Sequence, residues 1–204
     1  MKTISINLYT FDELDKKAQY NAWCNSPGFS DDHDDAFLET LAEFERIFDV
    51  DVWKYNVDPL FLPSWKFFTV GDAYDGGNPV RLARFVWNNY AEYILKGKYY
   101  STRVKTENGV CSYKYRHSNI IKSFDSCPLT GMYCDDIILR PIIECLHYNR
   151  FFETYDELIN ECLSAFFHEW IAEKEYCGSL EYFADECATL EWYFTADGKL
   201  YEGA

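Results

Sequence analysis

The stretch YYSTRVKTENGVCSYKYR, residues 99–116, decides how this chain is read. Two runs rich in β-branched and aromatic residues, Tyr99–Lys105 and Val110–Arg116, flank Asn108-Gly109. That pair suits a two-residue type I′ turn, whose two central positions both need a positive φ. Such a turn sets Val104 opposite Tyr113, Thr102 opposite Tyr115 and Arg103 opposite Lys114. Alternation then puts Arg103, Lys105, Lys114 and Arg116 on one face, with Tyr100, Val104, Tyr113 and Tyr115 on the other. Like charges facing each other are unfavourable, so the basic face calls for a counter-ion, a partner or an acidic neighbour.

The hairpin stands out against the charge of the whole. The 204 residues carry 19 Lys+Arg against 34 Asp+Glu, a formal −15. Residues 96–122 nevertheless hold seven basic groups and one acidic one, net +6. Most of the surface therefore repels polyanions while one hairpin attracts them. Equally, an acidic surface is suited to occupy a protein groove built for nucleic acid.

Working outward, Ile4, Ile6 and Leu8 alternate as a short strand, and Thr10-Phe11-Asp12-Glu13 reads as a capping box opening a helix to about Asn25. Ser30 or Asp31 opens a second helix, with Phe37, Leu38, Leu41, Phe44 and Phe48 at helical spacing and Asp32, Asp35, Glu39, Glu43 and Arg46 outside. Residues 50–57 and 65–70 read as strands, with Pro59 and Pro63 bounding the loop between them. Asn78-Pro79 begins a helix with Leu82, Val86 and Tyr90 inside. The rest is helical, with caps at Thr154 and Ser179, until a terminal hairpin around Ala196-Asp197-Gly198. The expected fold is α+β: one mixed or antiparallel sheet of about five or six strands covered by helices. It forms a single domain over residues 1–204, divisible into an N-terminal lobe 1–122 and a helical C-terminal lobe 123–204.

No catalytic motif is present. Cys127 and Cys134 lack zinc-finger spacing, and His168-Glu169 lacks the second histidine of a zincin. The loop Gly71–Gly77 lacks the Gly-Lys-Ser/Thr of a phosphate loop, and its two aspartates repel phosphate. Neither cofactor nor metal is expected. Asp31, Asp32, Asp35, Glu39 and Glu43 form the candidate acidic partner-binding face. Arg103, Lys105, Lys114 and Arg116 form the candidate contact for a partner or nucleic acid.

The segments LYTFDELDKKA (8–18), KGKYYST (96–102), CPLTGMYCDDIILRPI (127–142) and EWYFTADGKLY (191–201) resemble an uncharacterised family of small acidic proteins of phages, prophages and mobile elements in gut Firmicutes. The resemblance implies context rather than active-site residues. Accessory proteins of such elements are often inhibitors of host defence, anti-CRISPR proteins among them. Together with the charge this makes a host defence nuclease the expected partner, with nucleic acid bound through the basic hairpin as the alternative and an enzyme of dispersed site as a further one. The expected location is the cytoplasm of the bacterial host, without membrane contact.

The eight cysteines are scattered and no run has the length of a signal peptide, so reduced thiols are expected. Thiol titration without reductant is expected to find few reactive groups in native protein and eight after unfolding; fewer than eight would establish disulfides.

Overall fold

The structure, a computed structural model, describes residues 6–27, 33–70, 74, 76–94, 101–105, 111–115, 127–148 and 152–201. In chain order a 3₁₀ turn (Phe11–Glu13) is followed by α1 (Lys16–Asn25), α2 (His33–Phe48), β1 (Val50–Asn56), β2 (Ser64–Thr69) and α3 (Pro79–Ile94). Then come β3 (Ser101–Lys105), β4 (Cys111–Tyr115), α4 (Cys134–Tyr148), α5 (Tyr155–Cys177) and α6 (Leu180–Thr189). Two compact units result: Met1–Asp32 with Ile171–Ala204, and His33–Trp170.

The expected five- or six-stranded sheet does not form. The described residues are mostly helical, with two separate antiparallel pairs, β1–β2 and β3–β4. Each pair is a local hairpin, and the apolar surface that a wide sheet would cover is buried instead by helices. Ile4 of the expected N-terminal strand lies outside the described residues, and among the described residues no strand forms there. Ile6 and Leu8 are exposed, and the chain makes only a single bridge from Tyr9 to Phe194.

In the larger unit, α2, α3, α4 and α5 turn their apolar stripes into one core. Phe37, Phe44, Phe48, Leu82, Val86, Ile138, Leu158, Cys162 and Phe166 are fully buried there. Much of the aromatic content goes into this interior: Phe37 stacks on Trp170 at 5.1 Å, and Tyr90 on Tyr155 at 5.8 Å. The caps read from sequence are present. Asn78 Oδ1 accepts from the amides of Val80 and Arg81, and Thr154 and Glu157 exchange bonds at the start of α5.

The buried Asp135 holds the entry to α4. Its Oδ2 accepts from the amides of Leu129 (2.8 Å), Thr130 (2.8 Å) and Gly131 (3.1 Å). Its Oδ1 accepts from the hydroxyls of Thr130 (2.7 Å) and of Thr40 on α2 (3.1 Å). Gly131 stands at φ +93°, where a side chain is strained. The segment CPLTGMYCDD is thus a loop folded around a carboxylate.

In the smaller unit the capping box at Thr10 yields a 3₁₀ turn, not an α-helix. Glu13 accepts from the Thr10 amide, but Leu14 turns extended, and Asp15 caps α1 by accepting from the Ala18 amide at 2.8 Å. Phe11, Leu14, Ala18, Ala22, Phe183, Cys187 and Phe194 form the core. The terminal hairpin is present as a Phe194–Leu200 bridge, turning at Gly198. In that turn Asp197 is held down to about pH 2 by the Thr195 hydroxyl and by Lys199.

Burial pushes the Cys145 thiol up to about 11 and that of Cys187 to about 12, and raises that of Cys162 well above its ordinary value; Cys24 is exposed. The first three are therefore poor nucleophiles in the folded protein.

Two substitutions test these assignments by thermal or urea unfolding. Gly198→Ala places a Cβ against the carbonyl oxygen of Ala18 at a backbone φ of +82°, so a loss of about 2 kcal/mol or more is expected. Asp135→Ala strands three amides and two hydroxyls and is expected to cost at least about 3 kcal/mol. A melting temperature unchanged in either variant would refute the role given to that residue.

Candidate partner-binding surface

α2 begins with Asp34 and Asp35 in its first turn and carries Arg46 in its last, both favourable to the helix dipole. Its inward residues Phe37, Leu41, Phe44 and Phe48 leave one face to solvent. The carboxylates on this helix have unlike jobs. Asp34 accepts from the Trp170 indole at 2.6 Å, tying α2 to α5. Glu43 takes a two-pronged bond from Arg46, at 2.7 and 2.8 Å. Glu45 accepts from the Val52 amide at 2.6 Å, and desolvation raises its pKa.

Asp35 and Glu39 differ from these. Both are exposed, and neither makes a hydrogen bond or ion pair among the described residues. Four residues apart, they stand one above the other on one helix face, about 6 Å along the axis. The half-exposed Leu38 lies beside them. Of the five acidic residues predicted as a face, the structure therefore brings Asp35 and Glu39 together unpaired and commits Glu43 to Arg46. Asp31 and Asp32 lie outside the described residues.

The basic hairpin forms, in a different register. Ser101 pairs with Tyr115, Thr102 with Lys114, Arg103 with Tyr113, Val104 with Ser112 and Lys105 with Cys111. This is one residue away from the expected pairing, so Arg103 is not opposite Lys114. A ladder with all four basic positions on one face required that pairing and is not the one formed. Asn108-Gly109 and Arg116 lie outside the described residues.

Sequence reasoning missed the β1–β2 ribbon as a surface. Two residues, Val52 and Trp53, oppose the single Phe67, since pairing runs from Asp51↔Phe68 to Lys54↔Lys66. This bulge reverses the alternation. Tyr55 and Trp65 then stack on Phe167 of α5 at 5.3 and 5.5 Å, and the Trp65 indole donates to Asn160. Trp53 is left 58% exposed beneath the Lys66 ammonium. At the ribbon's end Leu60, Phe61 and Leu62 are 85%, 63% and 86% exposed. The signal was present as Pro-Leu-Phe-Leu-Pro, an apolar triplet where a turn is ordinarily polar.

A cleft of about 480 Å³ is lined by Asp49, Asn89, Tyr90, Tyr93 and Tyr155 among others. Burial raises the phenols of Tyr90 and Tyr155 above their ordinary value, so neither serves as a base near neutral pH. Tyr155 instead donates to the Phe48 carbonyl at 2.8 Å. Among the described residues no group of three or more His, Cys, Asp or Glu is placed to hold a metal ion, and no helix is long and apolar enough to cross a membrane. No family model, curated protein or solved structure matches the chain.

Proposed function

We propose that this protein is a non-enzymatic inhibitor, carried by a phage or mobile element, of a bacterial defence nuclease in the host cytoplasm. The target class is an RNA-guided nuclease of the type II CRISPR kind. The observation that carries the reading is the exposed Asp35–Glu39 pair, unpaired among the described residues, in a chain of net charge −15. A nucleic-acid channel is lined with Lys and Arg that expect phosphates. Two carboxylates without partners of their own are suited to take those cations, while the long-range field of the molecule draws the channel towards them. One phosphate recurs about every 3.4 Å along a strand, so carboxylates about 6 Å apart supply roughly half that charge density. The pair therefore acts as a local competitor for basic side chains and not as a copy of a duplex.

The second reading, direct nucleic-acid binding by the 99–116 hairpin, draws on the seven basic residues of 96–122. It predicts a shift of labelled DNA or RNA at about 100–150 mM salt, which the inhibitor reading does not.

The test is a DNA-cleavage assay with purified, guide-loaded type II nucleases of gut Firmicutes. Wild-type protein is expected to inhibit. The D35N/E39Q variant is expected to keep its fold, within about 1 kcal/mol, because both side chains are solvated and only Asp35 lies in the dipole-sensitive first turn. It is expected to bind more weakly and with a flatter salt dependence. Full inhibition by the folded variant would remove α2 from the mechanism.

A further inference from the structure

The β1–β2 tip is exposed, and it is also built. Asp58 Oδ1 accepts from the Leu60 amide at 2.9 Å, and the Asp58 carbonyl accepts from the Phe61 amide at 3.0 Å. Pro59 sits at the second position of this turn, and Pro63 closes the loop. An aspartate followed by proline is the ordinary chemistry of a tight turn. In this hydrogen-bonded turn Leu60, Phe61 and Leu62 stand exposed. Three consecutive large apolar side chains left in water bury little against their own fold. Ordering them on binding costs little, because the backbone is already ordered.

Charge and area select the occupant. The ribbon itself is neutral: Lys54 and Lys66, facing each other across the ladder, are offset by Asp51 and Asp58. The unit that carries it is not: His33–Trp170 holds 21 Asp+Glu against 14 Lys+Arg, net −7. The three tip side chains can bury roughly 300–500 Å² between them. A stable interface takes about 800 Å² from each partner, so surface beyond the tip must join in. In a second copy of this chain that surface is like-charged and opposes association. An anionic lipid surface opposes it in the same way. A basic protein completes the interface favourably.

We propose that the Leu60-Phe61-Leu62 tip is a plug for an apolar pocket on a basic protein partner, with the net negative charge of the unit that carries the tip matching the charge around that pocket. This rests on the inhibitor reading and adds to it: the acidic helix draws the nuclease in, and the tip anchors it. Apolar anchors seated in a pocket act mainly on the dissociation rate, whereas exposed charges act on association and its salt dependence.

Biolayer interferometry on purified guide-loaded type II nuclease separates the two contributions. The variant is L60S/F61S/L62S, with D35N/E39Q measured beside it. The triple variant is expected to melt no lower than wild type, since the side chains it changes are solvated. It is expected to bind at least about 100-fold more weakly, through faster dissociation and with an unchanged salt slope, as burial of one such side chain is worth roughly ten- to hundredfold. Unchanged affinity in the triple variant, with weakening in D35N/E39Q, overturns the plug and leaves the inhibitor reading standing. No binding of wild-type protein to the nuclease overturns both. Sedimentation of the chain alone and flotation with phosphatidylcholine vesicles complete the test. A dimer or a vesicle complex that the triple variant loses would assign the tip to a second copy or to lipid and overturn the proposal. A lower melting temperature in the triple variant would make the tip part of the fold and overturn it as well.

Discussion

The buried carboxylate of Asp135 is the constraint on which the larger unit is organised. A carboxylate out of water is tolerated only when its lone pairs are taken, and here five donors take them. Three donors are consecutive amides, so the Leu129–Gly131 loop has to curl around the oxygen, and Gly131 supplies the left-handed backbone that curling requires. A fifth donor, the Thr40 hydroxyl, belongs to α2. One side chain therefore fixes where α4 begins, how its entry loop turns and where α2 lies against it. The apolar core of α2 to α5 supplies the bulk of the free energy, but hydrophobic burial is non-directional. The carboxylate gives that core a direction.

Much of the helical part was legible because its signals are local. The Asn78-Pro79 start, the Thr154–Glu157 box and the Ser179 cap each act within four residues, and the inward stripes of α2, α3 and α5 repeat at helical spacing. Thr10–Glu13 shows the limit of such a signal. The reciprocal bond forms, yet the turn it caps is 3₁₀, because Asp15 two residues further on offers a better cap to the longer helix. The sheet was misread for the opposite reason. Alternation identifies a strand but not its neighbour, and each hairpin found its partner within its own turn, leaving no shared edge. The register of β3–β4 failed at one residue, which is enough to change every pairing along the ladder.

The candidate surface was half legible. Helical spacing alone placed Asp35 and Glu39 outside. What separated them from their neighbours was engagement: the Glu43–Arg46 pair is local and was readable, whereas the bond from Trp170 to Asp34 joins residues 136 positions apart and was not. The apolar tip was legible as Pro59-Leu60-Phe61-Leu62-Pro63; the bulge hid the outer face of β1, where alternation is broken after Val52.

These two surfaces divide the work of recognition along physical lines. Exposed carboxylates without partners cost the fold nothing to carry and act over a Debye length, about 8 Å in physiological salt. They bias encounter and orientation but are easily screened, and an exposed ion pair formed with a partner is worth little by itself. Apolar side chains act only at contact, and they resist salt. A protein that relied on its charge alone would be displaced by the nucleic acid it competes with, whose charge density is higher. One that relied on an apolar tip alone would meet its partner slowly and associate with unrelated surfaces. On the proposed reading, an acidic chain with a neutral apolar tip avoids both failures: its net charge opposes association of copies and leaves the tip for a partner of opposite charge.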